Sequence, residues 1–225
     1  MADLDAIFKA YDIRGTTPDQ LDAGVARALG SAFARFAADQ PGGARRILVA
    51  RDMRESGVEL VAAFTEGVVE QGLDVVDLGL ASTDLMYFAS GKLDAAGAMF
   101  TASHNPARYN GAKLCLPGAR PIGEDSGLVE IKAMTAAGPG AAAATPGTVE
   151  RLDLLQEFGA HVRSFIDTSA LRPLRVVADT ANGMGGLVVP VVFEGLPVEL
   201  EVMYGELDGS FPNHPADPIQ LENLV

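Results

Sequence analysis

Short apolar runs alternate with stretches whose apolar residues recur every three or four positions, and this alternation restricts the fold more than any other feature of the chain. Arg46-Ile47-Leu48-Val49-Ala50 has the length and content of a buried strand. Ser56 to Gln71 follows as a helix that buries Leu60, Val61, Phe64 and Val68 and stops at Gly72. Asp74 to Leu78 is the next strand, and Ser82-Thr83-Asp84 caps a helix carrying Leu85, Met86 and Phe88. A strand at Ala98 to Phe100 and a return strand at Ala112 to Leu116 come after it. Upstream, Thr17 is the expected N-cap and Pro18 the first residue of a helix whose stripe is Leu21, Val25, Leu29 and Phe33. A further helix is expected from Ile122 or Gly123 to about Ala136. Strands and amphipathic helices in this order predict a layered α/β domain, with ligands gathering where strands end and loops begin.

Residues 135 to 147, Thr-Ala-Ala-Gly-Pro-Gly-Ala-Ala-Ala-Ala-Thr-Pro-Gly, carry no charge and no large apolar side chain. Such a stretch packs poorly and is expected as a flexible surface loop marking a domain boundary at residue 147. Residues 148 to 225 then form a second region, with a helix around Asp153 to Ile166 and strands at Leu174 to Asp179 and Val198 to Met203. Two strands with their helices bury little apolar surface. Pro218 to Val225 resembles the opening turns of an amphipathic helix without a stop signal. The expectation is an N-terminal portion of a longer protein, with association promoted by core left uncovered.

Composition narrows the function. A net charge of −13 repels phosphate backbones and disfavours nucleic acid as a partner. No run approaches the roughly 20 apolar residues of a membrane span, and the acidic start Met-Ala-Asp-Leu-Asp is unlike a secretory signal. The single cysteine, Cys115, allows no internal disulfide and suits a cytoplasmic protein. His104, His161 and His214 are too far apart in sequence to suggest a zinc site.

Thr101-Ala-Ser-His-Asn-Pro106 places a hydroxyl, an imidazole, an amide and a proline directly after an apolar strand. Ser103 at a strand exit is exposed and unhindered, although a serine hydroxyl needs activation before it attacks anything. His104 offers proton transfer near neutral pH, Lys113 a point charge, and Arg108 a planar fork. A phosphoserine here would carry about −1.5 to −2 charges and would demand cations. The plainer reading is an ordinary hydrogen-bonded turn. Tyr11 and Arg14 precede Gly15 in a second cluster, where an arginine on a tight loop suits phosphate recognition. In a third, Arg51-Asp52-Met53-Arg54-Glu55-Ser56, alternating charges are expected to pair with one another and fix the loop. Asn182-Gly-Met-Gly-Gly186 lacks the spacing of a dinucleotide loop, and the acids at Glu124 and Asp125 read as a first helical turn.

Taken in order, Tyr11-Asp-Ile-Arg-Gly15, Thr101-Ala-Ser-His-Asn-Pro106, Asn110-Gly-Ala-Lys113, Asp179-Thr-Ala-Asn-Gly-Met-Gly-Gly186 and Leu207-Asp-Gly-Ser-Phe-Pro-Asn-His214 closely resemble the phosphohexomutases, especially their bacterial phosphomannomutase/phosphoglucomutase branch. The resemblance implies a mixed sheet sandwiched by helices in residues 1–147 and an incomplete second α/β domain in 148–225. It implies Ser103 as phosphoryl carrier, with its phosphate ligating Mg²⁺. His104 and Lys113 become catalytic groups, and Tyr11, Arg14, Asn105 and Asn110 substrate-binding ones. The substrates it implies are hexose phosphates, with glucose or mannose 1,6-bisphosphate as intermediate. The family's Asp-Gly-Asp-x-Asp-Arg metal loop is expected beyond Val225, so this polypeptide alone is expected to turn over little substrate. Phosphoglucosamine mutase, and a phosphate-binding fragment without chemistry, stay open as alternatives. The Ala10-Tyr-Asp-Ile-Arg-Gly15 wording favours the mannose/glucose branch.

Overall fold

The computed structural model describes residues 3–217 and 219. A short helix α1 (Leu4–Ile7) leads to strand β1 (Ile13–Thr16), helix α2 (Ala23–Ala38), β2 (Arg46–Arg51), α3 (Ser56–Glu70), β3 (Asp74–Leu80), α4 (Thr83–Leu93), β4 (Ala96–Phe100), β5 (Tyr109–Leu116) and β6 (Arg120–Pro121). Helix α5 (Leu128–Ala136), β7 (Val149–Arg151), α6 (Leu155–Arg163), β8 (Leu174–Asp179), α7 (Gly185–Phe193) and β9 (Val198–Met203) complete it. The first sheet runs β1-β5-β4-β2-β3-β7, with β6 on β5. Strands β2, β3, β4 and β7 are parallel, whereas β5 is antiparallel to both β4 and β1. It is therefore a mixed sheet, as expected.

Alternation along β2 shows why helices cover both faces. Ile47 and Val49 join a core with Phe33, Phe64 and Phe100. Leu48 and Ala50 point the other way, into a core with Met86, Leu154 and Phe158. Phe64 meets Phe100 edge-on with centroids 5.2 Å apart. Helices α2 and α3 cross in backbone contact: a Cβ at Gly67 would lie 2.1 Å from the Arg27 carbonyl oxygen, so only glycine permits the approach. Strands β8 and β9 form a separate parallel pair joined by α7. No helix among the described residues is long and apolar enough to cross a membrane.

Three local expectations are corrected. Helix α2 starts six residues after Thr17, with Asp22 as N-cap accepting from the Val25 N–H at 2.8 Å. Thr17 instead donates its N–H to the Arg108 carbonyl at 2.9 Å, and residues 17–20 make a turn. The helix expected from residue 122 is broken: one 3₁₀ turn covers Glu124–Ser126, and Gly127 at φ 128° lies against the Phe36 ring before α5 restarts. Residues 135–147 lead from α5 into the exposed loop expected, but its backbone is fastened to the end of α3 rather than loose. Ala143 and Gly147 donate to the carbonyls of Glu70 and Val69, each at 2.8 Å, and Arg35 binds the Gly138 carbonyl at 3.2 Å. That path delivers β7, past the expected boundary at 147, onto the edge of the first sheet beside β3. The helix expected at Pro218 to Val225 lies outside the described residues apart from Ile219.

Candidate active site

Parallel strands β2 and β4 are neighbours, so their C-terminal exits meet at one edge of the sheet. Beyond β4 the backbone turns sharply: Ser103 sits at φ 53°, in the left-handed region that a serine rarely adopts. Its N–H donates to Thr101 Oγ1 at 2.9 Å. Thr101 in turn donates its hydroxyl to Asp52 Oδ2 at 2.7 Å. Ser103 and His104 are both exposed, and Ser103 Oγ lies 3.4 Å from His104 Nδ1. The hydroxyl thus faces open space while its backbone is tied to the interior.

The tie runs through the exit of β2. Arg54 is 1% exposed and donates its Nε–H to Asp52 Oδ2 at 3.2 Å. Its Nη1 donates to the carbonyls of Pro106 and Tyr109, both at 2.9 Å. Its Nη2 donates to those of Ser103 at 2.9 Å and Asn105 at 2.7 Å. All donors of the guanidinium are thereby used. Burial lowers the Arg54 pKa from its ordinary value, and the Asp52 charge opposes that shift.

The cations come from the other side. Pairing of β1 with β5 sets Ile13 opposite Ala112, which brings Asp12 beside Lys113. Asp12 Oδ2 accepts from Arg14 at 2.6 Å and from Lys113 at 2.9 Å. Arg14 also reaches Asn105 Oδ1 at 3.5 Å, joining this array to the serine loop. Burial alone would raise the Asp12 carboxyl. The hydrogen bonds and charges of Lys113 and Arg14 outweigh burial and hold it below the usual carboxylate range.

The α/β/α domain I model of phosphoglucomutase/phosphomannomutase matches residues 5–138. The chain belongs to the phosphoglucomutase/phosphomannomutase family. It is 40% identical over 219 residues to the phosphohexose mutases of Xanthomonas campestris, which covers 96% of this chain and 47% of that protein. It is 36% identical over 220 residues to the phosphomannomutase/phosphoglucomutase of Pseudomonas aeruginosa, covering 97% of this chain and 46% of that protein. The crystal structure of a family protein from Burkholderia thailandensis superposes with a TM-score of 0.85 at 37% identity, covering all of this chain and 49% of the other. The chain spans about half the length of the curated relatives it matches.

Against that family the expected residues divide. Ser103, His104, Asn105, Arg14 and Lys113 gather around the serine loop and the Asp12 carboxylate. Tyr11 stands in solvent, 82% exposed. Asn110, expected to bind substrate, has its amide engaged within the protein. It is fully buried, donating Nδ2–H to Ser56 Oγ at 2.9 Å and accepting the Gly111 N–H at 2.8 Å. Its amide ties β5 to the start of α3. The Arg51–Ser56 cluster does contain the expected Asp52–Arg54 pair, but that pair holds the serine loop rather than only its own. Adjacent positions for two strand exits were the missing signal, and strand order cannot be read from local charge.

Mg²⁺ does not fit the described residues alone. No group of three His, Cys, Asp or Glu among them could hold a metal. Asp12 and Asp52, which connect to the serine loop through Arg14 and Thr101, are already committed to Lys113, Arg14 and Arg54.

Proposed function

We propose that this chain carries the phosphoserine portion of a phosphohexomutase active site, with Ser103 as the phosphoryl carrier and a glucose or mannose phosphate as substrate. The observation that carries the reading is the exposed Ser103 hydroxyl on a strained strand exit, with an imidazole at 3.4 Å and an Arg14–Asp12–Lys113 array tied to the same loop. In this reading the 6-hydroxyl of a hexose 1-phosphate attacks the phosphorus of phospho-Ser103. The new O6–P bond forms as the P–Oγ bond breaks, and the proton from O6 ends on Oγ with His104 as relay. The product is a 1,6-bisphosphate. After it turns over, Oγ attacks the phosphorus on O1, the O1–P bond breaks as the Oγ proton passes to O1, and hexose 6-phosphate leaves with phosphoserine restored. Arg14 and Lys113 act as fixed cations toward the phosphoryl oxygens, a role that needs positioning more than covalent chemistry. Mg²⁺ belongs to the proposal only as an ion attracted by the Ser103 phosphate.

Intact-mass measurement tests the reading. The chain is incubated with glucose 1,6-bisphosphate and then with phosphatase, alongside Ser103→Ala. One phosphate is expected on the wild type, removed by phosphatase and absent from the variant. A phosphate that persists on Ser103→Ala, or none on the wild type, refutes the assignment. A coupled mutase assay on the 225-residue chain alone is expected to show little or no turnover.

A further inference from the structure

Arg54 does not end its contacts at the serine loop. The Phe211 ring, from the segment after β9, lies 5.2 Å from the guanidinium carbon. Gly209 packs so closely that a Cβ there would stand 2.8 Å from Arg54 Cα. This segment is held in turn by the β8 exit. Asp208 donates its N–H to the Asn182 carbonyl at 2.9 Å, and Asn213 donates to Asn182 Oδ1 at 2.8 Å. The guanidinium therefore joins two loops, one carrying Ser103 and one belonging to the β8–β9 unit.

We propose that Arg54 is a positioning residue for the phosphoryl carrier, and that the Gly209–Phe211 segment sets how firmly Arg54 holds it. The proposal rests on the reading of Ser103 as that carrier. Arg54 cannot act on substrate directly, because it is buried and every one of its donors is used within the protein. What it fixes is the path of residues 103–109. A serine at φ 53° keeps that conformation only when its surroundings over-determine it, and four carbonyls converging on one planar cation do so. In-line phosphoryl transfer is sensitive to small misplacements of the carrier oxygen. Lysine, with three donors on a point charge, cannot span acceptors laid out for a fork.

The test uses the 225-residue chain with phosphoserine installed at position 103 during translation by genetic-code expansion, compared with Arg54→Lys, Phe211→Ala and the remote core variant Leu29→Ala. One readout is the ³¹P titration midpoint of the phosphoserine, expected below the ordinary value of about 6 while the loop holds it near its cations. The other is amide exchange at Ser103, Asn105 and Tyr109, whose N–H groups are hydrogen-bonded within the loop. Arg54→Lys is expected to move the midpoint back toward about 6 and to speed exchange by at least about tenfold. Phe211→Ala should do both to a smaller degree, and Leu29→Ala neither. Faster exchange with an unmoved midpoint would leave Arg54 a structural clamp only and overturn the positioning role. Unchanged exchange in Arg54→Lys would overturn it outright. If Arg54→Lys does not fold, Phe211→Ala decides on the same two readouts, because it keeps Arg54 in place. A wild-type chain that never acquires phosphate from a sugar bisphosphate refutes the carrier reading separately, since here the phosphate is installed by translation.

Discussion

Replacing Asp12 by asparagine isolates the electrostatics of the site. The side chain keeps its shape and loses the charge that Arg14 and Lys113 share through one oxygen, at 2.6 and 2.9 Å. A unit pair near 3 Å is worth about 5 kcal/mol at an effective dielectric of about 20. Removing one member of a buried pair costs about 3–5 kcal/mol in measured cases. Both cations are about a quarter exposed, at 28% and 27%, so water recovers part of that loss. The expected destabilisation is about 2–3 kcal/mol, or about 4–12 °C in Tm for a chain of this size. The pH dependence supplies the check. The folded Asp12 carboxyl titrates below its unfolded value of 3.8, so its stabilisation is fully present above that value and is lost as pH falls through the folded one. The gap between wild type and Asp12→Asn is therefore constant from pH 7 down to about 4 and narrows toward pH 3. Urea unfolding followed by circular dichroism across that range measures it. A variant within about 0.5 kcal/mol of wild type at pH 7, or a gap unchanged at pH 3, would refute the shared-carboxylate account.

Two further substitutions test conformation. Ser103→Gly relieves the left-handed strain at φ 53° at the cost of a more flexible unfolded chain, and is expected to stabilise the protein by about 0.5 kcal/mol while abolishing phosphate incorporation. Lower stability by chemical denaturation would show that the turn is not strained. Gly67→Ala reverses the sign expected from helix propensity, which alone would favour alanine by about 1 kcal/mol. The new methyl would stand 2.1 Å from the Arg27 carbonyl oxygen and 2.8 Å from the Ser31 nitrogen, both backbone atoms, and about 1–3 kcal/mol of destabilisation is expected in thermal melts.

Elements whose signals are local were legible in the chain. Strands β8 and β9 occupy the residues read as strands, and Ser82 caps α4 by accepting the Leu85 N–H at 3.2 Å. The misread segments are those whose backbone partners come from elsewhere. Thr17 looks like a cap until the Arg108 carbonyl claims its N–H, and that contact spans 91 residues. The alanine-rich stretch has no side chain to announce packing, yet its main chain binds the end of α3.

The site divides along the same line. Ser103, His104, Arg14 and Lys113, the residues proposed for the chemistry, sit in specific motifs, and the β1–β5–β4 register carries those separate motifs to one edge. Arg54 was hidden because its charge has a partner two residues away in Asp52, which made a local explanation sufficient. Four of its five donor bonds go instead to residues 49 to 55 positions distant, and only the adjacency of β2 and β4 makes them possible. Asn110 shows the converse: it sits inside a specific motif, yet its amide is spent between β5 and α3. Polar residues in such a motif therefore do two jobs. In the proposed reading some face the reactants, and others build the turn that holds a serine where an unassisted chain would not leave it. Burial separates the two, and burial depends on strand order that the motif does not encode.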